Sequence, residues 1–461
     1  MIGWIGDQTT MNNSKAHHHV LTLVGAVLIS SSALLSSVSY AEQTADKATD
    51  KATVAETSSA VGVAEANAKL AFANYSAAVK GVQALQTAVD TLVKEPSEAN
   101  LKAAKAAWLA ARESYGQSEV FRFRGGPIDD DLSTTEADDG PEGQINAWPL
   151  AEGLIDYVAK EVDGTAAPEN ADSTKGIAKN IIADSKFDIS KEKLAESNEL
   201  GGDEANVTTG YHAIEFLLWG QDLNKDGSGK GKRDASAGQR PHTDYVQGEG
   251  CTNGHCDRRA KYLQTVTALL KDDLAAVAAQ WHPTGGAHYK TFSALSDSDA
   301  ALKIMEGMGR LSYGELAGER MNIALMTDSQ EDEHSCFSDN THRDIVLNAQ
   351  GIQNVYLATY EGKSHGKSVY EWLVENKHTE LADDLKAKLS STMEAVGKID
   401  KAATSGLPFD QQIQGTDAQK QVVTDGIIAL RDQTKVMEKI MTAVKHKADL
   451  RQDTEEDIES K

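Results

Sequence analysis

The chain has 461 residues, enough for two to four domains of ordinary size, and 40% of them are hydrophobic, which suits a globular protein. Its formal net charge of -24 disfavours binding to nucleic acid or to anionic lipid, because both attract basic surfaces. Only 8 prolines are present, so long helices can run without interruption.

The N-terminus has the pattern of a cleavable signal peptide. After a polar, basic start, residues 20–35 form an apolar segment that is too short for a comfortable membrane span. Ser39-Tyr40-Ala41 fits the small-x-small cleavage rule, so we expect residues 1–41 to be removed. No cysteine lies at the cleavage point, and no lipid anchor is expected. The pattern predicts a periplasmic protein whose residues 42–59 form a flexible leader.

The first two predicted helices cover about residues 61–93 and 98–123, and Ser97 can cap the second. One face of the second helix mixes aromatic and charged residues: Trp108, Arg112, Tyr115, Glu119 and Arg122. A surface face rarely carries the aromatic residues, and a core face rarely carries the charged ones. The mixture therefore predicts a polar site inside a helical bundle. The structural alternative is an ion-pair network of Arg112, Glu119 and Arg122 on a half-buried face.

The central stretch of the sequence is residues 208–220, which has the pattern of a short helix. Threonines at its start can cap it, and Gly220 can end it. His212 and Glu215 are three residues apart and therefore lie on one face of the helix. That face is otherwise apolar, and a buried carboxylate is costly unless it is paired or binds a metal. Two interpretations follow: a His–Glu hydrogen bond in a helical core, or a metal site.

The loop that begins at Asp222 imitates the opening of an EF-hand. Its twelfth position is Arg233, where calcium binding needs a bidentate glutamate. We therefore interpret the loop as a surface turn and not as a calcium site.

Cys251 and Cys256 lie close together in the sequence. In an oxidising compartment this pair can form a small disulfide loop. A zinc site is the less favoured alternative, since no second Cys/His pair stands at finger-like spacing.

Helical patterns continue over residues 258–280 and 300–327, and Glu315 and Glu319 on the second fit contacts with Arg320 or solvent better than catalysis. The segment 331–342 is dense in groups that bind metals or protons, namely Asp332, His334, Cys336 and Asp339. Its structural alternative is a capping and turn segment before the next helix. Two long amphipathic helices follow.

No convincing β period occurs, so the fold class is all-α. Long helices joined by short loops favour antiparallel bundles. We expect two helical-bundle domains, residues 60–245 and 246–461, packed against each other with their boundary near the close cysteine pair.

The missing motifs narrow the classes of chemical reaction that this protein can be expected to carry out. No His-Glu-x-x-His occurs, and the inverted form, His-x-x-Glu-His, fails because Phe216 stands at the second histidine. Nucleotide-binding loops and serine nucleophile elbows are also missing. What remains is a mixed nitrogen and oxygen site of His212, Glu215 and, from another helix, Glu119. Such ligands suit iron, zinc or manganese.

Several stretches together resemble the imelysin family, beginning with the Gly-x-His-x-x-Glu motif at residues 210–215. The agreement extends to residues 115–123, 145–150, 240–245 and 334–342, and the last of these resembles the iron-regulated branch. The family includes insulin-cleaving membrane proteases, iron-regulated periplasmic proteins and relatives in ferrous-iron uptake systems.

The resemblance implies a functional site where two helical-bundle domains meet, centred on His212 and Glu215 with Glu119 alongside. It implies a bound metal, with iron favoured over zinc, and a membrane iron transporter as a partner. Further residues expected to support the site or contact substrate are Arg112, Tyr115, Arg122, Trp148, Asp332, His334, Cys336 and Asp339. A metal-dependent peptidase, in which Glu215 would be catalytic, is the alternative function.

Overall fold

The computed structural model describes residues 61–130, 140–158, 180–228 and 232–444. The expected signal peptide and leader, residues 1–59, lie outside the described residues. The described residues belong to one compact unit that begins at Ser58. Among them, no helix is both long and apolar enough to cross a bilayer. The expected division near residue 245 stays a prediction.

The regular structure of the described chain is almost entirely helical, as predicted. The longer helices are α1 (Val63–Lys94), α2 (Glu98–Tyr115), α6 (Gly210–Trp219), α7 (Cys256–Gln280), α9 (Asp297–Arg310), α11 (Thr341–Leu357), α13 (Thr379–Thr404) and α15 (Asp417–Ala443). The shorter ones are α3 (Glu142–Asn146), α4 (Glu152–Ile155), α5 (Lys191–Glu196), α8 (Ala287–Ser293), α10 (Ala324–Thr327), α12 (Val369–Glu375) and α14 (Phe409–Ile413).

The remaining regular structure consists of short segments. Single turns of 3-10 helix cover Gly116–Phe121, Leu200–Gly202, His242–Tyr245 and Gly248–Gly250. One small antiparallel hairpin pairs β1 (Thr359–Tyr360) with β2 (Lys363–Ser364). The predicted cap of α2 is confirmed, because the Ser97 side chain accepts a hydrogen bond from the Asn100 amide at 3.2 Å.

The hydrophobic core is organised around α1, which packs against α2, α7, α8 and α9. A second cluster of buried apolar side chains joins the helices of the C-terminal half, among them α11, α13, α14 and α15. Helix α6 is buried along its whole length and packs against α2, α3 and α7. The polar residues of α6 are therefore held inside the protein.

Between α9 and α10 the chain forms a π-helix, Leu311–Ile323. The sequence predicted one continuous helix over residues 300–327, and the course of the chain agrees with that, but the hydrogen-bond register differs. In a π-helix each backbone amide bonds the carbonyl five residues back, so residues five apart lie nearly above one another. In an α-helix the same two residues point about 140° apart.

Candidate metal centre

His212 and Glu215 lie on one buried face of α6, as their spacing predicted. Nδ1 of His212 is 2.9 Å from Oε2 of Glu215. The other carboxylate oxygen of Glu215 accepts hydrogen bonds from the backbone amide of Ser338 at 2.9 Å and from its hydroxyl at 2.6 Å. Glu215 thus fixes the imidazole on one side and the loop before α11 on the other.

The N-terminus of α6 requires glycine at position 210. Gly210 has a φ of +79°, and a Cβ on it would lie 2.4 Å from the carbonyl oxygen of Ile145. Any other residue would combine a left-handed backbone with a backbone clash. The close approach brings the end of α3, including Asn146, against the helix that carries His212.

A second histidine, His334, joins the first. Its ring lies edge-on to the His212 ring, with 4.6 Å between the centroids. Nδ1 of His334 is 2.8 Å from Oδ2 of Asp344, on α11. The charge of Arg112, whose Nη2 donates to Asp344 at 2.8 Å, helps to keep this carboxylate ionised. Each imidazole therefore has one nitrogen facing a carboxyl group, but burial raises the pKa of Glu215 to about 8, whereas that of Asp344 stays low.

Both imidazoles are neutral. Burial, followed by the neighbouring His334, holds the pKa of His212 well below its usual value. Burial and the charge of Arg320 lower the pKa of His334 to about 4. Burial would raise the pKa of Asp344, but Arg112 and His334 hold it well below its usual value. His334 therefore donates Nδ1–H to Asp344, and its Nε2 carries a lone pair.

The Nε2 atoms are the nitrogens available to a ligand. Nε2 of His212 is buried and has no hydrogen-bond partner, whereas Nε2 of His334 accepts a hydrogen bond from the side-chain Nδ2 of Asn146 at 3.3 Å, which a metal would have to displace. A histidine whose Nδ1 is fixed by a carboxylate, and whose Nε2 is free, is the common arrangement in protein metal sites. The pair fits a metal that accepts imidazole ligands.

Glu119 lies at the same centre but is engaged by other groups. It accepts hydrogen bonds from Arg320, from Asn348 at 3.2 Å and from Asn146 at 3.4 Å. Burial would raise the pKa of Glu119, but the guanidinium of Arg320 lowers it below the usual value. Glu119 is thus an ionised carboxylate whose first partner is an arginine, and coordination of a metal would compete with that pair.

The π-helix explains how Arg320 is held. Arg320 Nη2 donates to Oε1 of Glu315, five residues earlier, at 2.7 Å, and Nε donates to the same oxygen at 3.0 Å. This i, i+5 contact requires the π register. Arg320 thus bridges Glu315 on its own helix and Glu119 after α2, and the expected contact between Glu315 and Arg320 is confirmed.

We expect this bridge to make stability depend on pH in the acid range. Burial would raise the pKa of Glu315, but Arg320 and Arg122 lower it from 4.5 to about 2. A carboxylate with a depressed pKa contributes stability that is complete above about pH 4.5 and is lost as the pH falls toward about 2. In urea unfolding, Glu315→Gln should abolish roughly 2 kcal/mol of the stability that the parent loses between about pH 6 and about pH 3.

The control for this variant is Glu113→Gln, which alters an exposed ion pair with Arg343. This control should follow the parent at both pH values. Equal losses of stability in the parent and in Glu315→Gln would contradict the assignment of the acid-sensitive group.

Arg112 and Tyr115, both expected near the site, contact it from α2. Arg112 donates to Oδ1 of Asn146 at 2.6 Å as well as to Asp344. Its guanidinium stacks against the rings of Tyr115 and Tyr211, with 5.3 and 4.9 Å to the centroids. The two aromatic rings and the carboxylate of Asp344 together explain why this arginine can be buried away from water.

An acidic pocket of about 330 Å³ lies beside the histidine pair. Trp148 and Asn146 line it, and both contact His334, Trp148 with 5.2 Å between the ring centroids. Five glutamates and a single arginine also line the pocket: Glu142, Glu199, Glu204, Glu315, Glu319 and Arg122. This excess of carboxylates attracts cations toward the site.

The remaining predicted residues, Arg122, Asp332, Cys336 and Asp339, have different surroundings. Arg122 contacts Glu142 at 3.0 Å and Glu315 at 3.4 Å, on the wall of the acidic pocket. Asp332 accepts a hydrogen bond from Thr327 at the end of α10. Cys336 is a buried free thiol, and burial with nearby Glu331 raises its pKa well above the usual value. Asp339 lies in a separate group of carboxylates.

Cys251 and Cys256 are joined by a disulfide, with 5.9 Å between their Cα atoms. The bond closes a small loop immediately before α7. It lies outside the histidine pair and its partners.

The sequence interpretation missed Asp344, Asn146, Asn348 and Arg320 as parts of the site. All four are buried. A signal existed for two of them, because Asp344 and Asn348 are four residues apart on the otherwise apolar face of α11. The site draws on both halves of the sequence, since His212 and Glu119 come from the first and His334 and Arg320 from the second.

Comparisons with known proteins identify the family and the fold of the chain. The family model of imelysin, also described as peptidase M75, matches residues 71–437. The iron-regulated protein A of Synechococcus elongatus is 23% identical over 335 residues, which cover 72% of this chain and 74% of that protein.

Two solved structures share the fold. A crystal structure provisionally described as an iron-regulated protein A precursor from Parabacteroides distasonis has a TM-score of 0.55 at 15% identity, covering 82% of this chain and 94% of that one. An imelysin-like protein from Psychrobacter arcticum has a TM-score of 0.52 at 14% identity, covering 85% and 98%. Because the family model spans most of the sequence, the chain belongs to the imelysin family.

Proposed function

We propose that this protein is exported to the periplasm and binds iron there, acting in iron uptake or its regulation. The observation that carries the proposal is the pair of neutral histidines, whose rings lie 4.6 Å apart. The iron-regulated name of the Synechococcus elongatus relative supports iron over other metals. Imidazole ligands also accept zinc, so zinc is the comparison metal.

In this proposal Nε2 of His212 and Nε2 of His334 bind the ion. Glu215 and Asp344 hold the two rings, and the acidic pocket supplies the path of entry. The ion pair of Glu119 and Arg320 contributes to the electrostatic environment of the two histidines. Water or a chelating molecule that carries the iron would fill the remaining positions. A membrane iron transporter is the expected recipient.

The test is calorimetric titration of the mature protein, beginning at Glu42 and purified without chelators, with Fe(II), Fe(III) and Zn(II). We expect one ion per chain at the histidine pair, with iron bound more tightly than zinc. Elemental analysis of the same preparation identifies the metal carried from the cell. A protein that binds none of the three ions would refute the proposal.

A metal-dependent peptidase is the second candidate, favoured by the family's description as a peptidase. The contacts of Glu215 argue against it, since one oxygen faces His212 and the other accepts from Ser338. A catalytic glutamate needs an oxygen directed at the attacking water. Cleavage of an unfolded polypeptide by metal-loaded protein, lost in Glu215→Gln, would favour the peptidase.

A further inference from the structure

A separate group of carboxylates lies apart from the histidine pair. Asp222, Asp339 and Asp410 each offer one oxygen, and these oxygens all lie within 4.8 Å of one another. Elsewhere in the described ranges, no other set of three or more His, Cys, Asp or Glu side chains comes this close. The three aspartates come from the loop after α6, the loop before α11 and the first turn of α14.

The loop after α6 does not fold as its EF-hand-like sequence suggests. Asn224 and Ser228 close a turn, with 2.9 Å from the Asn224 amide to the Ser228 carbonyl. Asp226 stays on the surface and accepts from the Ser228 amide. Asp222 instead points inward to Asp339 and Asp410. The expected surface turn is confirmed, whereas Asp222, the first acidic residue of the loop, is buried.

The carboxylates are buried and poorly supplied with hydrogen-bond donors. Asp222 is 3% exposed; its Oδ1 has no hydrogen-bond partner, and its Oδ2 faces Arg233. Asp410 is 1% exposed, and its Oδ2 also has none. Buried polar groups without partners are rare in folded proteins, and each needs an explanation.

Glu333 is a further buried carboxyl group in the loop that carries Asp339. It is 2% exposed, and its Oε1 has no hydrogen-bond partner.

One guanidinium faces these carboxyl groups. Arg233 Nη2 is 3.1 Å from Oδ2 of Asp222, and Nε is 3.9 Å from Oδ2 of Asp410. Three aspartates against one arginine leave an excess of two negative charges when all are ionised. Either protons or a cation must neutralise that excess, since uncompensated buried charge is strongly unfavourable.

We propose that Asp222, Asp339 and Asp410 form a second metal site, which binds a hard divalent cation of the Ca²⁺ type. Carboxylate oxygens without nitrogen or sulfur are the ligands that hard cations prefer. Ca²⁺ tolerates an irregular arrangement of ligands from separate loops better than Mg²⁺ does. The site is independent of the iron proposal, because it shares no ligand with the histidine pair.

Binding here would tie together three segments. Asp339 follows Ser338, which holds Glu215, and lies in the same loop as His334. A cation between these carboxylates would therefore fix the loop that carries part of the histidine centre.

The test uses the mature protein stripped with EDTA and titrated with Ca²⁺, Mn²⁺ and Mg²⁺ at about pH 8. We expect one Ca²⁺ per chain by calorimetry, and a melting temperature about 3 °C higher at free Ca²⁺ roughly 100-fold above Kd. The double variant Asp222→Asn/Asp410→Asn should lose both responses. Without metal it should melt no lower than the parent, because it removes repulsion.

Two further variants are controls for Ca²⁺ binding at these three aspartates. Asp226→Asn, on the surface of the same loop, should bind Ca²⁺ like the parent. His212→Ala should also keep Ca²⁺ binding, whatever it does to iron. A parent that binds none of the three ions, or a folded double variant that binds Ca²⁺ like the parent, would overturn the proposal.

Discussion

His212→Ala is expected to abolish iron binding, with an affinity at least about 100-fold lower than that of the parent. The reason is that Nε2 of His212 has no other partner, while Nδ1 is held by Glu215. His212→Phe tests the same nitrogen while keeping a ring of similar volume in the core. Both variants are measured by calorimetry against Fe(II), Fe(III) and Zn(II).

Glu215→Gln should weaken binding less, by about 10- to 100-fold, because it changes the group that orients the ring and not the nitrogen that binds. The control is His282→Ala, an exposed histidine near the end of α7 that should leave iron binding unchanged. If His212→Phe is folded and binds iron like the parent, the histidine pair is a structural contact and not a metal site.

Arg320→Ala is expected to cost about 3–5 kcal/mol of unfolding free energy. The variant leaves Glu119 and Glu315 without their shared cation in a region where Arg320 and Glu119 have no exposed surface. An uncompensated buried charge costs more than the pair itself contributes. Urea unfolding at neutral pH measures the loss.

Adding Glu119→Gln to Arg320→Ala should restore part of the lost stability, because it removes one of the orphaned charges. Arg343→Ala breaks an exposed pair with Glu113 and should cost less than about 1 kcal/mol. If the buried and exposed arginines cost the same, the bridge between the two glutamates is not a major contributor to stability.

The sequence alone was sufficient to predict contacts within one helix. His212 and Glu215 meet because three residues along an α-helix return to the same face, and that rule needs no knowledge of the rest of the fold. Helical periodicity likewise predicted the all-α class and the cap at Ser97. The stripe on α2 correctly placed Arg112 and Glu119 in a polar interior, because no solvent-exposed or purely apolar face suits that mixture.

Contacts between segments that are far apart in the sequence could not be predicted from the sequence alone. Glu119 meets Arg320 across 201 positions, and Arg112 meets Asp344 across 232. Helical spacing contains no information on which helix packs against which. For that reason the sequence placed Glu119 beside His212 as a ligand but did not identify the arginine that pairs with it. It also could not tell that Asp339 belongs with Asp222 and Asp410.

The π-helix makes the length of this segment, and not only its composition, part of the site. Deleting one residue between Glu315 and Arg320 would leave them four apart, the spacing at which an ordinary α-helix aligns side chains. The contact between the two would then use the α register in place of the π register, and the residues after Arg320 would keep nearly the direction they have now. A relative that aligns with a single-residue gap here is therefore expected to hold the same arginine on an ordinary α-helix.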